Sequence, residues 1–312
     1  MSNDLRQQST SMGTGGECPP HPGEFAGNCR TTRQGPATRA TRAILGALGL
    51  TAALAARGEA QLRPLEPLPW EALAPGTTAM LRLGAGLLGG QRASLAGTEG
   101  RLLELGRWQA AWRTGRVAVE LGGTALNLFD DRSRWADPAD GAAQRFGRRV
   151  DAGELRITTL VRLTPWAWPA AAALRFGARL PTSSHARGLE REETDFLGTL
   201  GLAWARGPLG AAAEGGIGIF GTRVPEFTQE DDLVFTARAG YRIGALRPEI
   251  VFTGQSSPLR YRHPRGVEDL RELRLGARAG ARRWLEVFWV RGLAPFSPKD
   301  GILVGVGASV GR

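Results

Sequence analysis

Between Gly153 and Trp204 the chain sorts its side chains into two columns. Leu155, Ile157, Thr159, Val161 and Leu163 alternate with Glu154, Arg156, Thr158, Leu160 and Arg162. After Thr164-Pro165-Trp166-Ala167-Trp168-Pro169 the pattern returns, with Ala170, Ala172, Leu174, Phe176, Ala178 and Leu180 against Ala171, Ala173, Arg175, Gly177 and Arg179. A third run sets Phe196, Gly198, Leu200, Leu202 and Trp204 against Leu197, Thr199, Gly201, Ala203 and Ala205. Successive side chains on a strand point to opposite faces, so each run has one apolar face and one charged or small face. The runs are about ten residues long, enough for a tilted strand to cross a bilayer and longer than the usual soluble strand. The pattern predicts an all-β fold: a transmembrane antiparallel up-and-down β-barrel.

The charged column fixes which face meets lipid. It contains Arg156, Arg162, Arg175, Arg179, Arg238, Arg242, Arg247, Arg274 and Arg278, with Glu154, Glu214, Glu249, Glu272 and Glu286. A one-residue slip in register would turn them all outward. A basic side chain at mid-bilayer costs roughly 2–4 kcal/mol on a barrel's lipid face, and several together exceed a typical net stability of about 5–15 kcal/mol. These residues are therefore expected to line the lumen. Two uses remain open for them: Arg–Glu pairs that fill the interior, because an unpaired buried charge is costly, or a wetted channel whose arginine excess favours anions.

Composition fits this reading. Hydrophobic residues make up 42% of the 312, yet no apolar run reaches the roughly eighteen residues of a membrane helix. A barrel hides its apolar face by alternation instead. The net charge of +10 is carried by arginine, with Lys299 the single lysine. Those arginines are spread along the chain among acids, without the clustered footprint of a nucleic-acid binder, so no nucleic-acid partner is expected. Cys18 and Cys29 are too few to argue for a metal site, and no cofactor motif is present.

Four regions follow in order. Residues 1–38 are rich in Gly, Pro, Ser, Thr and Arg and read as a disordered or over-predicted leader. Residues 39–60 place Arg39 and Arg42 before a short apolar core and small residues at Gly58 and Ala60, the pattern of a signal peptide cleaved before Gln61. Residues 61–77, with Pro64, Pro67, Pro69 and Pro75, predict an extended periplasmic lead-in. Residues 78–312 hold twelve candidate strands, near 78–87, 101–111, 115–126, 153–163, 169–180, 195–205, 209–220, 232–243, 246–255, 271–280, 284–291 and 301–310. Alternation slips in the first three and the eleventh. Short connections (112–114, 164–168, 206–208, 244–245, 281–283) alternate with longer polar ones (88–100, 127–152, 181–194, 221–231, 256–270, 292–300). That is the hairpin order of outer-membrane barrels, with short periplasmic turns and longer external loops.

The aromatic residues support two interfacial belts. Trp108, Trp112, Trp166, Trp168, Trp204 and Trp284 fall beside the short turns, while Phe176, Phe196, Phe220, Phe235 and Phe252 fall toward the long loops. The expected partners are outer-membrane lipids and lipopolysaccharide, the barrel assembly machinery and small solutes. The expected function is passive, porin-like passage. The alternatives are a structural or adhesive barrel with a sealed lumen, and a lipid-modifying barrel enzyme.

The segment Leu174-Arg175-Phe176-Gly177-Ala178-Arg179-Leu180-Pro181, then Thr182-Ser183-Ser184 and Glu193-Thr194-Asp195-Phe196, resembles the outer-membrane transporters grouped with the meta-pathway of phenol degradation. In that family a strand ending in a basic-Leu-Pro step leads through a loop into an acidic Thr-Asp-Phe strand start. The similarity spans about 151–256. It implies an outer-membrane barrel passing small organic molecules. The chain departs from the barrels' common terminal aromatic, ending Ser309-Val310-Gly311-Arg312.

Enzymatic chemistry has one candidate locus. Ser183, Ser184 and His185 share a loop with Glu190, Glu192 and Glu193. Catalytic triads need geometry from rigid supports, and a loop of this composition is ordinarily solvated, so no enzyme activity is expected. His263, beside Pro264, reads as a loop residue in the same way. Asp130-Asp131 and Glu230-Asp231-Asp232 read as loop tips, because calcium needs several convergent oxygens.

Overall fold

The computed structural model describes residues 62–69, 77–139, 141–142, 146–189, 192–224, 227–256 and 265–311, without the side chains of 222–224 and 227–228. The expected leader and signal peptide, Glu190 and His263 lie outside the described residues.

The strands are β1 (Thr77–Ala93), β2 (Thr98–Thr114), β3 (Val117–Arg134), β4 (Arg148–Asp151), β5 (Leu155–Arg162), β6 (Ala170–Leu180), β7 (Asp195–Arg206), β8 (Leu209–Val224), β9 (Phe227–Tyr241), β10 (Leu246–Ser256), β11 (Leu270–Ala279), β12 (Arg283–Gly292) and β13 (Asp300–Gly311). Every pairing is antiparallel and joins chain neighbours, apart from β3 with β5 and the closing pair of β1 with β13. Met80 of β1 faces Ala111 of β2 on one side and Ser309 of β13 on the other, so the sheet closes on itself. β4 and β5 pair successive stretches of β3 and occupy one position in the ring, which gives a twelve-position barrel. The short gap between them is bridged by Thr124 and Gly153–Glu154 backbone hydrogen bonds of 3.0 Å.

Bulges explain why alternation slips in the first strands. The β1–β2 register shifts between Gly84 and Ala85, skipping Gly106, and again between Gly89 and Gln91, skipping Gly90. Gly90 and Gly106 take φ of 61° and 62°, the left-handed backbone that an extra residue in a strand adopts at little cost when it is glycine. Each bulge swaps the inward and outward columns beyond it. The β12 alternation is blurred for another reason: Phe288 and Val290 point into the interior and join a buried apolar cluster there.

Two expected loops are mostly strand. Within 88–100 only residues 94–97 connect β1 to β2, and within 221–231 β8 runs to Val224 before β9 resumes at Phe227. Strand pairing satisfies the backbone without needing a lipid-facing apolar column, so a hairpin can continue past the membrane where alternation has stopped. The 17 residues of β2 rise about 40 Å along the barrel axis at the usual tilt, beyond an apolar band about 25 Å tall.

The wall has the polarity of a membrane barrel. Leu87, Leu202, Ile217, Leu233 and Leu285 are more than half exposed, at 55, 61, 55, 55 and 64%. Arg175, Glu272 and Thr253 on the opposite face are all 0% exposed.

Candidate functional site

The interior is built around eight residues that precede the wall. Leu62 to Pro69 are all buried, and their contacts reach β1, β2, β6, β9, β10 and β11. Arg63 donates to Glu104 at 2.9 Å and to both carboxylate oxygens of Glu272 at 2.6 and 2.7 Å. Glu66 accepts from Arg107 at 2.7 Å, from Arg274 at 2.9 and 3.0 Å and from Arg82 at 3.5 Å. Thr253 donates its hydroxyl to the Leu65 carbonyl at 2.5 Å, Arg175 reaches the Glu66 carbonyl at 3.0 Å and Arg238 the Leu68 carbonyl at 3.1 Å. Residues 62–69 of the stretch expected as a periplasmic lead-in thus form a plug inside the barrel.

Its course follows from its apolar side chains. Leu62 packs with Leu88, Leu102, Phe129, Val290 and Leu303 toward the long-loop end. Leu68 packs with Ala118, Leu160, Ala171, Ala173, Ala203 and Ala212 toward the short turns. A Cβ on Gly201 would stand 2.8 Å from Leu68 Cδ1, so this glycine leaves space for the plug. The sequence Leu-Arg-Pro-Leu-Glu-Pro-Leu-Pro repeats every three residues, the turn of a polyproline II helix, which sends leucines to one side and charges to another. That repeat was the available signal for the plug, and the charges Arg63 and Glu66, each just before a proline, were the hint that it meets a polar lumen.

The wall arginines are anchored around this segment. Arg175 bridges Glu120 and Glu214, each at 3.0 Å, and Glu214 also accepts from Thr199 at 2.9 Å and Thr236 at 3.0 Å. Arg274 pairs with Glu272 at 3.1 Å, Arg156 with Glu154 at 3.4 Å and Arg247 with Glu249 at 3.9 Å. Arg238 pairs with Glu249, Arg82 with Glu286 and Arg179 with Asp195. Arg162 lies at the short-turn end, donating to the Thr164 and Pro165 carbonyls at 3.2 Å. Burying these charges is tolerable only because partners and hydrogen bonds replace water. Arg63, Glu66, Arg82, Glu104, Arg107 and Glu120 are the members of this network that strand alternation from residue 153 onward did not single out.

Three expected residues lie elsewhere. Arg242 lies past the end of β9 and is exposed, because the strand stops at Tyr241 and the side chain belongs to the turn. Trp284 points inward and is buried at 4%, with the Arg278 guanidinium 3.6 Å from its ring. Its place beside a turn suggested an interfacial ring, but its register puts it in one column with Glu286 and Phe288. Phe220 likewise faces inward, under Arg179 at 5.7 Å.

The other aromatics face out or lie at the turns. Trp112, Trp168, Phe176 and Phe196 are exposed at 56, 59, 45 and 55%, and Trp204 at 36%. Phe235 and Phe252 touch on the outer face with centroids 5.5 Å apart. Trp108 sits opposite Leu83 and Gly123 in the outward column. Trp166 is held between Arg113 and Arg162, at 4.5 and 4.2 Å.

Cavities beside the plug include three of about 40, 40 and 30 Å³, each enough for one or a few waters. In the loop weighed above for enzymatic chemistry, Ser184 and His185 donate backbone N–H groups to Asp151 at 3.3 Å and to Glu192 at 3.4 Å.

A closed antiparallel ring, apolar outside and ion-paired inside, defines a membrane-spanning β-barrel with an occluded lumen. Among solved structures it is similar to an outer membrane channel from Pseudomonas putida F1, at 13% identity and a TM-score of 0.54, covering 78% of this chain and 100% of that one. That likeness establishes the fold alone. Weaker similarity links it to the CymD monoaromatic hydrocarbon channel (10% identity, TM-score 0.38, 76% of this chain and 89% of that one) and to LpxR from Salmonella typhimurium (8%, 0.40, 73% and 99%). Those two are too distant to carry an argument. No family model matches the chain, and no curated protein matches it.

Proposed function

We propose that the chain is an outer-membrane channel for small solutes, closed in this conformation by residues 62–69 and opened when they shift. The observation that carries this reading is the nature of the plug's attachment. Glu66 meets three guanidiniums and Arg63 two carboxylates, so the plug is held chiefly by polar contacts that water and ions can replace. A barrel whose only task was mechanical would be better sealed by well-packed apolar residues, since buried ion pairs are poor stabilisers.

The proposed export route fits the same geometry. Cleavage before Gln61 makes the plug the start of the mature chain, so no leader need pass through the long-loop end. The residues resembling the phenol-pathway transporters also acquire a physical role. Arg179 and Asp195 are register partners and an ion pair that ties the end of β6 to the start of β7, while Asp195 accepts from Gly221 at 3.0 Å. Small organic molecules are the solute class that this resemblance favours. The loop bearing Ser184 and His185, which buries Ser183 and Leu189, is read as structural, and the chain as a channel without enzyme activity.

The test is single-channel recording on refolded protein beginning at Gln61, beside a variant lacking residues 62–69. Small, intermittent openings in the first and large, steady ones in the second are expected. Silence from both would favour the sealed structural barrel. Replacing Arg175, Arg179 and Arg238 by glutamate in the deleted background should move the reversal potential toward cations; an unchanged potential would remove these residues from the conducting path.

A further inference from the structure

Among the described residues, the charges at the short-turn end of the barrel are all positive. The stretches 112–119, 162–173, 203–213, 239–248 and 277–285 contain no aspartate or glutamate. Arg116, Arg206, Arg242, Arg282 and Arg283 are exposed there, and none has an acidic partner among the described residues. At the long-loop end, by contrast, Lys299 pairs with Glu99, Arg149 with Asp131 and Arg291 with Asp300. Exposed guanidiniums of one sign favour an anion as their counter-charge.

Two of these arginines, Arg206 and Arg242, follow in the chain register just beyond an apolar groove of about 580 Å³ on the lipid face. Its floor is Ala211 and Ala213 of β8 with Ala237 and Ala239 of β9, paired Ala213 to Ala237 and Ala211 to Ala239. Its walls are Leu202 and Trp204 of β7 on one side and Ile250 and Phe252 of β10 on the other. The register makes two rows across four strands, each with a large residue at either end and two alanines between. The next row toward the turns is Arg206, Leu209 and Tyr241. Arg242 follows, its backbone N–H donating to the Pro208 carbonyl at 2.9 Å, so the two guanidinium-bearing residues flank one turn.

We infer that this groove holds one acyl chain of an anionic phospholipid whose phosphate is bound by Arg206 and Arg242. The groove is lined by alanines and large apolar side chains, with Arg238 the one charged residue bordering it, which suits a hydrocarbon chain. The charges lie only at its short-turn end, where the headgroup level falls, and a tryptophan, Trp204, stands just inside them, at the depth such rings favour. Guanidinium is suited to phosphate oxygens because it offers a planar fork of donors. The inference rests on the barrel spanning a membrane and not on its conducting.

The test is native mass spectrometry of the full barrel extracted from mixed vesicles of phosphatidylethanolamine and phosphatidylglycerol, with heat-modifiable gel mobility as the check of folding. Wild type should retain phosphatidylglycerol above its share of the vesicle. R206Q/R242Q should lower that retention, by about fivefold per arginine, and R206K/R242K should restore most of it. A213L/A237L, which fills the groove without altering charge, should also lower it, and R132Q/R291Q at the other end should not. Equal retention in wild type, R206Q/R242Q and A213L/A237L would overturn the site. Loss of a dimer mass in A213L/A237L with lipid unchanged would assign the groove to a second copy of the chain instead. Should the variants fail to fold, wild-type retention must still fall as salt rises, and salt-independent retention would contradict the inference.

Discussion

Arg175 and Leu200 lie on adjacent strands, yet Arg175 is 0% exposed and Leu200 is 56% exposed. In a water-soluble protein those values would be reversed. Here the leucine is solvated by hydrocarbon, and the arginine has two carboxylates and a plug carbonyl in place of water. The difference teaches that burial in this molecule measures how full the lumen is, and that the hydrophobic face is the one left open. Any substitution that exchanges the chemistry of the two faces tests that reading.

The largest effect should come from the inner face. Arg175→Leu strands Glu120 and Glu214 in the lumen, and the loss of one partner of a buried ionic cluster costs about 3–5 kcal/mol. Urea unfolding of the refolded barrel should show it, and a loss below 1 kcal/mol would mean that water already reaches those carboxylates, on the scale of an exposed ion pair at about 0–1 kcal/mol. On the outer face, Leu200→Arg should cost roughly 2–4 kcal/mol in lipid vesicles. The same variant in mild detergent should lose much less, and an equal loss in both media would argue that Leu200 does not face hydrocarbon.

Glu66→Gln comes next. It removes the charge that meets Arg82, Arg107 and Arg274, at about 1.5–3 kcal/mol for charge-assisted hydrogen bonds. Its more telling effect is on current: openings should lengthen, and unchanged dwell times would separate the plug's anchor from conduction. The smallest change is Phe252→Leu, which breaks the outer-face ring pair with Phe235 at about 0.5–1.5 kcal/mol and should leave current alone.

The wall was legible in the sequence because its two faces meet opposite media, so the strands from β5 onward, apart from β12, carry their own orientation. The strands near 153–163, 169–180 and 195–205 lie within a few residues of β5, β6 and β7. What alternation could not convey was anything that alternation does not control. Gly90 and Gly106 each insert a residue and reverse the columns, so β1 and β2 read as weak strands although they are long. Trp284 was misplaced because nearness to a turn says nothing about face. The plug escaped because its period is three, and because the contacts that place it are with strands up to 209 residues away in the chain, as between Arg63 and Glu272. Arg175 was singled out by its column, but its role depends on Glu120, Glu214 and the plug, which no local pattern joins to it.

The most direct test locks the plug covalently. A chain beginning at Gln61 has no cysteine, so the double variant L65C/T253C, at the pair joined by the 2.5 Å bond between the Thr253 hydroxyl and the Leu65 carbonyl, can be oxidised without competition. The account predicts that the disulfide forms, that current through the oxidised channel disappears, and that reductant restores it. A pair that does not cross-link would place the segment outside the lumen, and a current that ignores the cross-link would show that these residues do not close the pore.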